Sequence, residues 1–262
     1  MNILIATQDA PLYLAKFLEK FINIWMKNES GSISILVDSP YVENSFLKEI
    51  SKRYQLYGFI SFFKISFFVV SNKFMSYLNF LKIVTGCYSV KNVITKYSLN
   101  EVNVISINER ETIEFINNQN IELIISIAYP KILKKEVLKV PKYGCLNYHT
   151  ALLPKYRGRQ PLFWALYNDD KKTGITIHKM DESIDKGEVV IQKQINIENL
   201  DSLNDLYIKT VAIGPELLYK GVLELKKNNQ KFHNLENTNE RLYKFPDIKD
   251  GLMFRKKGKK FF

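Results

Sequence analysis

Short apolar runs recur along the first half of the chain, at Ile3 to Ala6, Ile33 to Val37, Val102 to Ile107 and Leu123 to Ala128, with more helical or polar stretches between them. Runs that are continuous rather than alternating predict strands covered on both faces, and their interleaving with helices predicts an α/β domain on a largely parallel sheet. In such sheets ligands bind near the C-terminal ends of the strands. A further short strand is expected from Cys145 to His149, followed by the loop Leu152 to Gln160, with Pro154 and Gly158, and a helix from Pro161 to Tyr167 that the Asn168, Asp169, Asp170 cluster closes. Gly174 to Met180 reads as a strand that ends in the polar loop Asp181 to Gly187, and Glu188 to Ile195 alternates like a half-exposed returning strand. Leu203 to Leu225 has helical spacing, which Gly214 and Pro215 are expected to break or kink.

Composition narrows the picture only slightly. With 262 residues, 46% hydrophobic and 25% charged, the chain is expected to form one main domain, residues 1–197, and a smaller C-terminal helical or extended region, residues 198–262. Cys87 and Cys145 are the only cysteines, too few for a disulfide scaffold or a metal cluster, so no metal site is expected. The N-terminal stretch lacks the features of a secretory signal, and a cytoplasmic location is expected. The first strand runs into Thr7, Gln8 and Asp9 rather than a Gly-x-Gly-x-x-Gly turn, and no phosphate-binding loop of the Walker type is present, which disfavours dinucleotide and NTP chemistry.

The formal net charge of +11 favours anionic partners. The lysines are spread along the chain, however, and the one dense cluster, Arg255 to Lys260, reads as a solvated tail, so nucleic-acid binding is not expected. Tyr57 to Leu81 is rich in phenylalanine but interrupted by Lys64 and Lys73. A spanning helix needs roughly 20 predominantly apolar residues, so this segment is read as a buried or partner-facing surface and not a membrane span. A dimer contact or packing beneath the site would both account for it, and a homodimer is expected.

Two of the three histidines, His149 and His178, fall in the segment just described, with Asn147 two positions before the first. Residues two apart on a strand share a side, so Asn147 and His149 can aim an amide and an imidazole at one point. Asp185, in the polar loop, could return to the same cleft. On the residues alone, Asn147 reads equally as a strand-end residue, His149 as a satisfied polar group and Asp185 as a turn residue beside Gly187.

The stretch NYHTALLPKYRG from Asn147 to Gly158, followed by Thr173-Gly174-Ile175-Thr176 and Asp185-Lys186-Gly187, resembles the formyltransferase family that includes glycinamide ribonucleotide and methionyl-tRNA formyltransferases. The resemblance covers about Glu122 to Ile195. It implies a Rossmann-like α/β fold with a small C-terminal extension, and transfer of a formyl group from N10-formyltetrahydrofolate, a reduced folate co-substrate, to an amine. It further implies that Asn147 donates to a developing oxyanion, that protonated His149 does the same or delivers a proton to the departing folate nitrogen, and that Asp185 raises the histidine's proton affinity. The matching folate positions are the loop Tyr129 to Leu133, including Lys131 and Ile132, and Met180 to Ile184, including Asp181. Ile132 and Leu133 read equally as core residues, and His178 as a support for the site. Tyr148, Ala151 and Pro130 depart from the family pattern without touching the catalytic set.

The YRGRQPLFWAL run from Tyr156 to Leu166 looks most like the branch that formylates nucleotide-linked amino-deoxysugars for bacterial surface polysaccharides. Arg157, Gly158 and Arg159 would then meet the anionic substrate, although either arginine could instead fix the loop through carboxylates or carbonyls. Glycinamide ribonucleotide and methionyl-tRNA are the other amines the family suggests, the second weakened by the short stretch after Ile195. A non-catalytic binding protein on the same fold is the reading from another class.

Overall fold

The computed structural model describes residues 1–10, 12–38, 46–104, 106–227, 233, 235 and 240–262. Its centre is a seven-stranded sheet in the order β3-β2-β1-β4-β5-β7-β8. The strands are β1 (Ile3–Gln8), β2 (Ile33–Asp38), β3 (Asn100–Glu101), β4 (Leu123–Ile127), β5 (Cys145–His149), β7 (Lys172–Lys179) and β8 (Val189–Asn196). The first five in chain order run parallel, while β7 pairs antiparallel with both β5 and β8. A two-stranded parallel pair, β6 (Arg157–Gly158) with β9 (Leu242–Tyr243), stands apart from this sheet.

The helices are α1 (Leu14–Asn28), α2 (Phe46–Tyr57), α3 (Phe59–Phe80), α4 (Val90–Tyr97), α5 (Arg110–Asn118), α6 (Lys135–Leu138), α7 (Pro161–Tyr167), α8 (Leu203–Lys226) and α9 (Ile248–Lys256). Their placement explains why the central strands read as unbroken apolar runs. Ile3 and Ile5 of β1 pack with Phe17, Phe21 and Trp25 of α1 and with Leu218 and Val222 of α8. Leu4 and Ala6, pointing the other way, pack with Ile116 of α5 and Val137 of α6. Both sheet faces are thus covered, which favours apolar residues at most central positions; Thr7, Ser34 and Ser126 are the buried polar ones in β1, β2 and β4. The fold is the Rossmann-like α/β arrangement that the strand pattern predicts.

Two elements differ from expectation. The strand expected at Val102 to Ile107 lies earlier, at Asn100–Glu101; the Val102 amide still donates to the Ile35 carbonyl at 2.8 Å, but the chain then leaves the sheet, and residue 105 falls outside the described residues. Ile107 is apolar because it is buried beneath Leu4 and Leu36, not because it lies in a strand. Helix α8 runs unbroken through Pro215. A β-carbon at Gly214 would lie 2.4 Å from the Tyr148 hydroxyl and 2.9 Å from the Phe17 ring, so glycine is what lets α8 approach β5 and α1 this closely.

The residues after 197 share this packing. Besides α8, helix α9 lies against α2, and Phe254 and Phe261 join Phe163 of α7 in a third cluster, with Phe163 and Phe254 stacked at 4.7 Å. The basic run from Arg255 to Lys260 is not a solvated tail. Arg255 donates to the Leu56 and Gln55 carbonyls, Lys257 to the Tyr167 carbonyl at 2.6 Å, and Lys257 and Lys259 pair with Asp169 at 2.9 and 2.8 Å. The aromatic segment forms α3, none of whose residues is buried, and that helix is by length and composition long and apolar enough to cross a membrane. Phe163→Ala is expected to cost about 3–5 kcal/mol, read as a fall in the urea midpoint, because it empties the contact between α7 and the C-terminal segment.

Candidate functional site

Three separately folded segments meet at the C-terminal end of β5. Asn147 and His149 project from that strand, opposite His178 and Thr176 of β7. Tyr148 between them points to the other face, where its ring lies 4.6 Å from Phe17 and its hydroxyl donates to the Thr210 carbonyl. That alternation holds the amide and the imidazole on one side. Asp185 arrives from the loop after β7 in the left-handed backbone region, with φ of 50°, a conformation uncommon for non-glycine residues but tolerated by aspartate better than by most.

The surroundings are explicit. One carboxylate oxygen of Asp185 accepts from Asn147 Nδ2 at 3.3 Å and lies 3.4 Å from His178 Nε2; the other accepts from the Gly158 amide at 2.7 Å and lies 3.6 Å from His149 Nδ1. Gly158 supports this contact through its own conformation. Its φ is +99°, and a β-carbon there would sit 2.3 Å from the Tyr243 carbonyl of β9.

Hydrogen-bond partners assign the histidine tautomers. His149 Nε2 lies 3.0 Å from the Tyr156 carbonyl, so that nitrogen carries the hydrogen and Nδ1 faces Asp185 with its lone pair. His178 Nδ1 lies 2.8 Å from the Lys179 carbonyl and donates to it, leaving Nε2 to accept from Asn147 at 3.1 Å. Both amide hydrogens of Asn147 are therefore engaged, one by His178 and one by Asp185.

Burial is the largest influence on His149, which is 6% exposed, and it lowers the imidazole's proton affinity; the Asp185 charge opposes this without overcoming it. The resting imidazole is neutral, where the sequence reading has it protonated. For Asp185 burial acts upward, but the charges that His149 and His178 carry when protonated, together with the Gly158 amide, outweigh it and hold the carboxyl well below the usual carboxylate range. The site at rest is a neutral base beside a fixed negative charge.

The other sequence-predicted positions are placed as follows. Arg157, 7% exposed, donates through Nε and Nη2 to the Ile184 carbonyl at 3.0 and 2.6 Å and through Nη1 to the Glu240 carbonyl at 3.1 Å, so its guanidinium ties the Asp185 loop to the C-terminal segment rather than facing open solvent. Arg159 is exposed and lies 5.3 Å over the Phe245 ring. Tyr129 and Lys131 both reach Asp38 at the end of β2, at 2.9 and 2.7 Å. Leu133 is in the core, whereas Ile132 is 61% exposed. The Met180 amide donates to the Cys145 carbonyl at 2.8 Å, and Asp181 accepts from the Ser183 amide. The contributions of the Tyr156 and Tyr243 carbonyls lie in backbone groups, which carry no residue-type signal in the sequence.

A mostly parallel Rossmann-like sheet that gathers an amide, two imidazoles and a carboxylate at the carboxyl end of a strand describes an α/β protein with an acid–base site. Residues 68–222 match the formyl transferase family, and the chain belongs to that family. It is 42% identical to the methionyl-tRNA formyltransferase of Prochlorococcus marinus (strain MIT 9215) over 134 residues, 50% of this chain and 41% of the relative. It is 33% identical to the methionyl-tRNA formyltransferase of Clostridioides difficile (strain 630) over 158 residues, 60% of this chain and 51% of the relative. The chain thus spans about half the length of these relatives. Its fold is similar to that of the N-formyltransferase from Helicobacter canadensis in complex with folinic acid and dTDP-3-aminofucose, with a TM-score of 0.60 and 16% identity over 93% of this chain and 70% of that one. It is also similar to phosphoribosylglycinamide formyltransferase from Anaplasma phagocytophilum, with a TM-score of 0.60 and 13% identity over 92% and 99%.

A pH dependence of stability follows from the neutral imidazole. In the unfolded chain this histidine titrates at 6.5, whereas the folded one takes its proton at lower pH, so below 6.5 the unfolded state binds more protons and stability falls as pH drops. Urea midpoints measured from pH 7.5 to 5 should show this loss, and His149→Gln should flatten it.

Proposed function

We propose that the chain transfers a formyl group from N10-formyltetrahydrofolate to a primary amine on an anionic carrier. The observation that carries this reading is the meeting of Asn147 and His149 with one ionised carboxylate, at 3.3 and 3.6 Å. Family membership supports the same chemistry. The folate supplies an electrophilic formyl carbon. Around it, the neutral Nδ1 of His149 accepts the proton of the attacking amine, and Asp185 stabilises the imidazolium so formed. As the new carbon–nitrogen bond forms and negative charge gathers on the formyl oxygen, an Asn147 hydrogen now held by His178 or Asp185 turns to that oxygen. The bond to the folate nitrogen then breaks, and the proton stored on His149 passes to it.

Ile132 and Ile184, both exposed, offer uncovered apolar surface on the loops that follow β4 and β7, which suits a flat heteroaromatic ring. The Asp38, Tyr129 and Lys131 cluster supplies polar groups at the ends of β2 and β4.

For the amine, a nucleotide-linked amino-deoxysugar is the first reading, supported by the exposed Arg159 stacked on Phe245 and by the similarity of the fold to an enzyme crystallised with dTDP-3-aminofucose. Methionyl-tRNA is the second, favoured by 42% and 33% identity to enzymes of that name. The net charge of +11 suits either phosphorylated carrier.

Incubation with the folate donor and, separately, 3-amino and 4-amino nucleotide sugars or methionyl-tRNA should give, by mass spectrometry, a sugar product heavier by one carbonyl; no such product from any amine would remove the proposal. Asn147→Ala and His149→Ala should each lower kcat roughly a hundredfold to a thousandfold while the protein stays folded.

A further inference from the structure

Helix α3 wears its polarity inside out. On a helix of 3.6 residues per turn, Ser61, Asn72, Ser76 and Asn79 fall on one side, and the structure turns that side toward the protein, where all four are half-buried. Ser76 Oγ meets Ser89 Oγ at 2.8 Å, and the Asn79 amide donates to the Val84 carbonyl at 3.1 Å. The opposite side carries Phe59, Phe63, Phe67, Phe74 and Tyr77, each at least 55% exposed. A surface helix of a globular protein normally does the reverse.

Charge identifies what this face meets. Residues 50–100 contain no aspartate or glutamate but carry Lys52, Arg53, Lys64, Lys73 and Lys82, besides Lys91 and Lys96, which pair with Glu101 and Glu19. Lys64 and Lys73 lie roughly a quarter turn to either side of the phenylalanine stripe. Phe262 packs 4.9 Å from Phe68, which brings the C-terminal residue alongside. A second copy placed on this face would set lysines against lysines, with no carboxylate of this segment to pair them. An anionic lipid surface satisfies both features at once: the rings enter the acyl boundary, and the lysine stems run back to the headgroups.

The length of α3 does not require it to span. Arg255 clasps the end of α2 just before α3 begins, and Val90, Val93 and Ile94 of α4 pack on α1 shortly after it ends, so both ends are fastened to one body. A helix of this length held at both ends lies along the surface. We propose that α3 docks the protein peripherally on anionic phospholipid bilayers, with the phenylalanine face down. This surface is independent of the formyl-transfer reading.

Vesicle flotation with the whole chain tests it. The protein should float with liposomes that are roughly one third phosphatidylglycerol in phosphatidylcholine and partition about tenfold more weakly onto pure phosphatidylcholine. The triple variant Phe63→Glu, Phe67→Glu, Phe74→Glu should lose about tenfold or more of that binding, with an unchanged circular dichroism spectrum and thermal midpoint. Lys64→Glu with Lys73→Glu, which leaves the rings in place, should weaken binding to anionic vesicles only. Wild-type protein that stays unbound with every lipid overturns the proposal, as does flotation unchanged in both variants. So does a stable dimer that the phenylalanine substitutions dissolve, since a second copy would then be the occupant.

Discussion

One buried carboxylate organises the candidate site. Asp185 accepts an amide hydrogen from Asn147 and the backbone amide of Gly158 and faces nitrogens of His149 and His178, partners drawn from three stretches of chain, β5, β6 and β7. Leaving such a group unpaired away from water costs several kcal/mol, so the ionised form depends on the Asn147 and Gly158 donors. Arg157 then fixes the Asp185 loop from outside by bonding the Ile184 carbonyl with two nitrogens, and Gly158 is held in turn by β9. The catalytic proposal therefore rests on a chain of contacts that begins in the C-terminal segment and ends at β5.

That dependence bears on how the molecule divides. A boundary at residue 197 follows naturally from composition, because the regular alternation of strands stops there. In the folded chain, Leu218 and Val222 share a core with Ile3 and Ile5, and Phe254 and Phe261 share another with Phe163. Apolar contacts between segments far apart in sequence leave no local pattern, which is why a linear reading sees an extension where the fold has an integral layer.

Much of the architecture was legible because it follows from local physics. The central strands are covered on both faces, so β1, β2 and β4 announce themselves as largely apolar runs, β7 follows from the Ile175, Ile177 alternation, and β8 from the change to a half-exposed pattern. The edge strand β3 gave no such signal, since two paired residues need no pattern, and Ile107 supplied a misleading one from the core. The spacing of Asn147 and His149 on one strand was readable, as was Asp185 in a polar loop. The neutral state of His149 was not, because it depends on a burial that only the folded chain creates. Nor was the direction in which Arg157 points: the same residue type serves a phosphate or a carbonyl equally well, and only the position of Ile184 decides.

Tyr148 carries a consequence for how such a site can drift. Its ring sits on Phe17 and opposite Gly214, on the reverse of the strand that bears Asn147 and His149. The two functional side chains are thus steered from behind by α1 and α8. Volume changes at that rear contact would tilt β5 by fractions of an ångström, giving a lineage a means to retune reactivity while every polar group at the front stays the same.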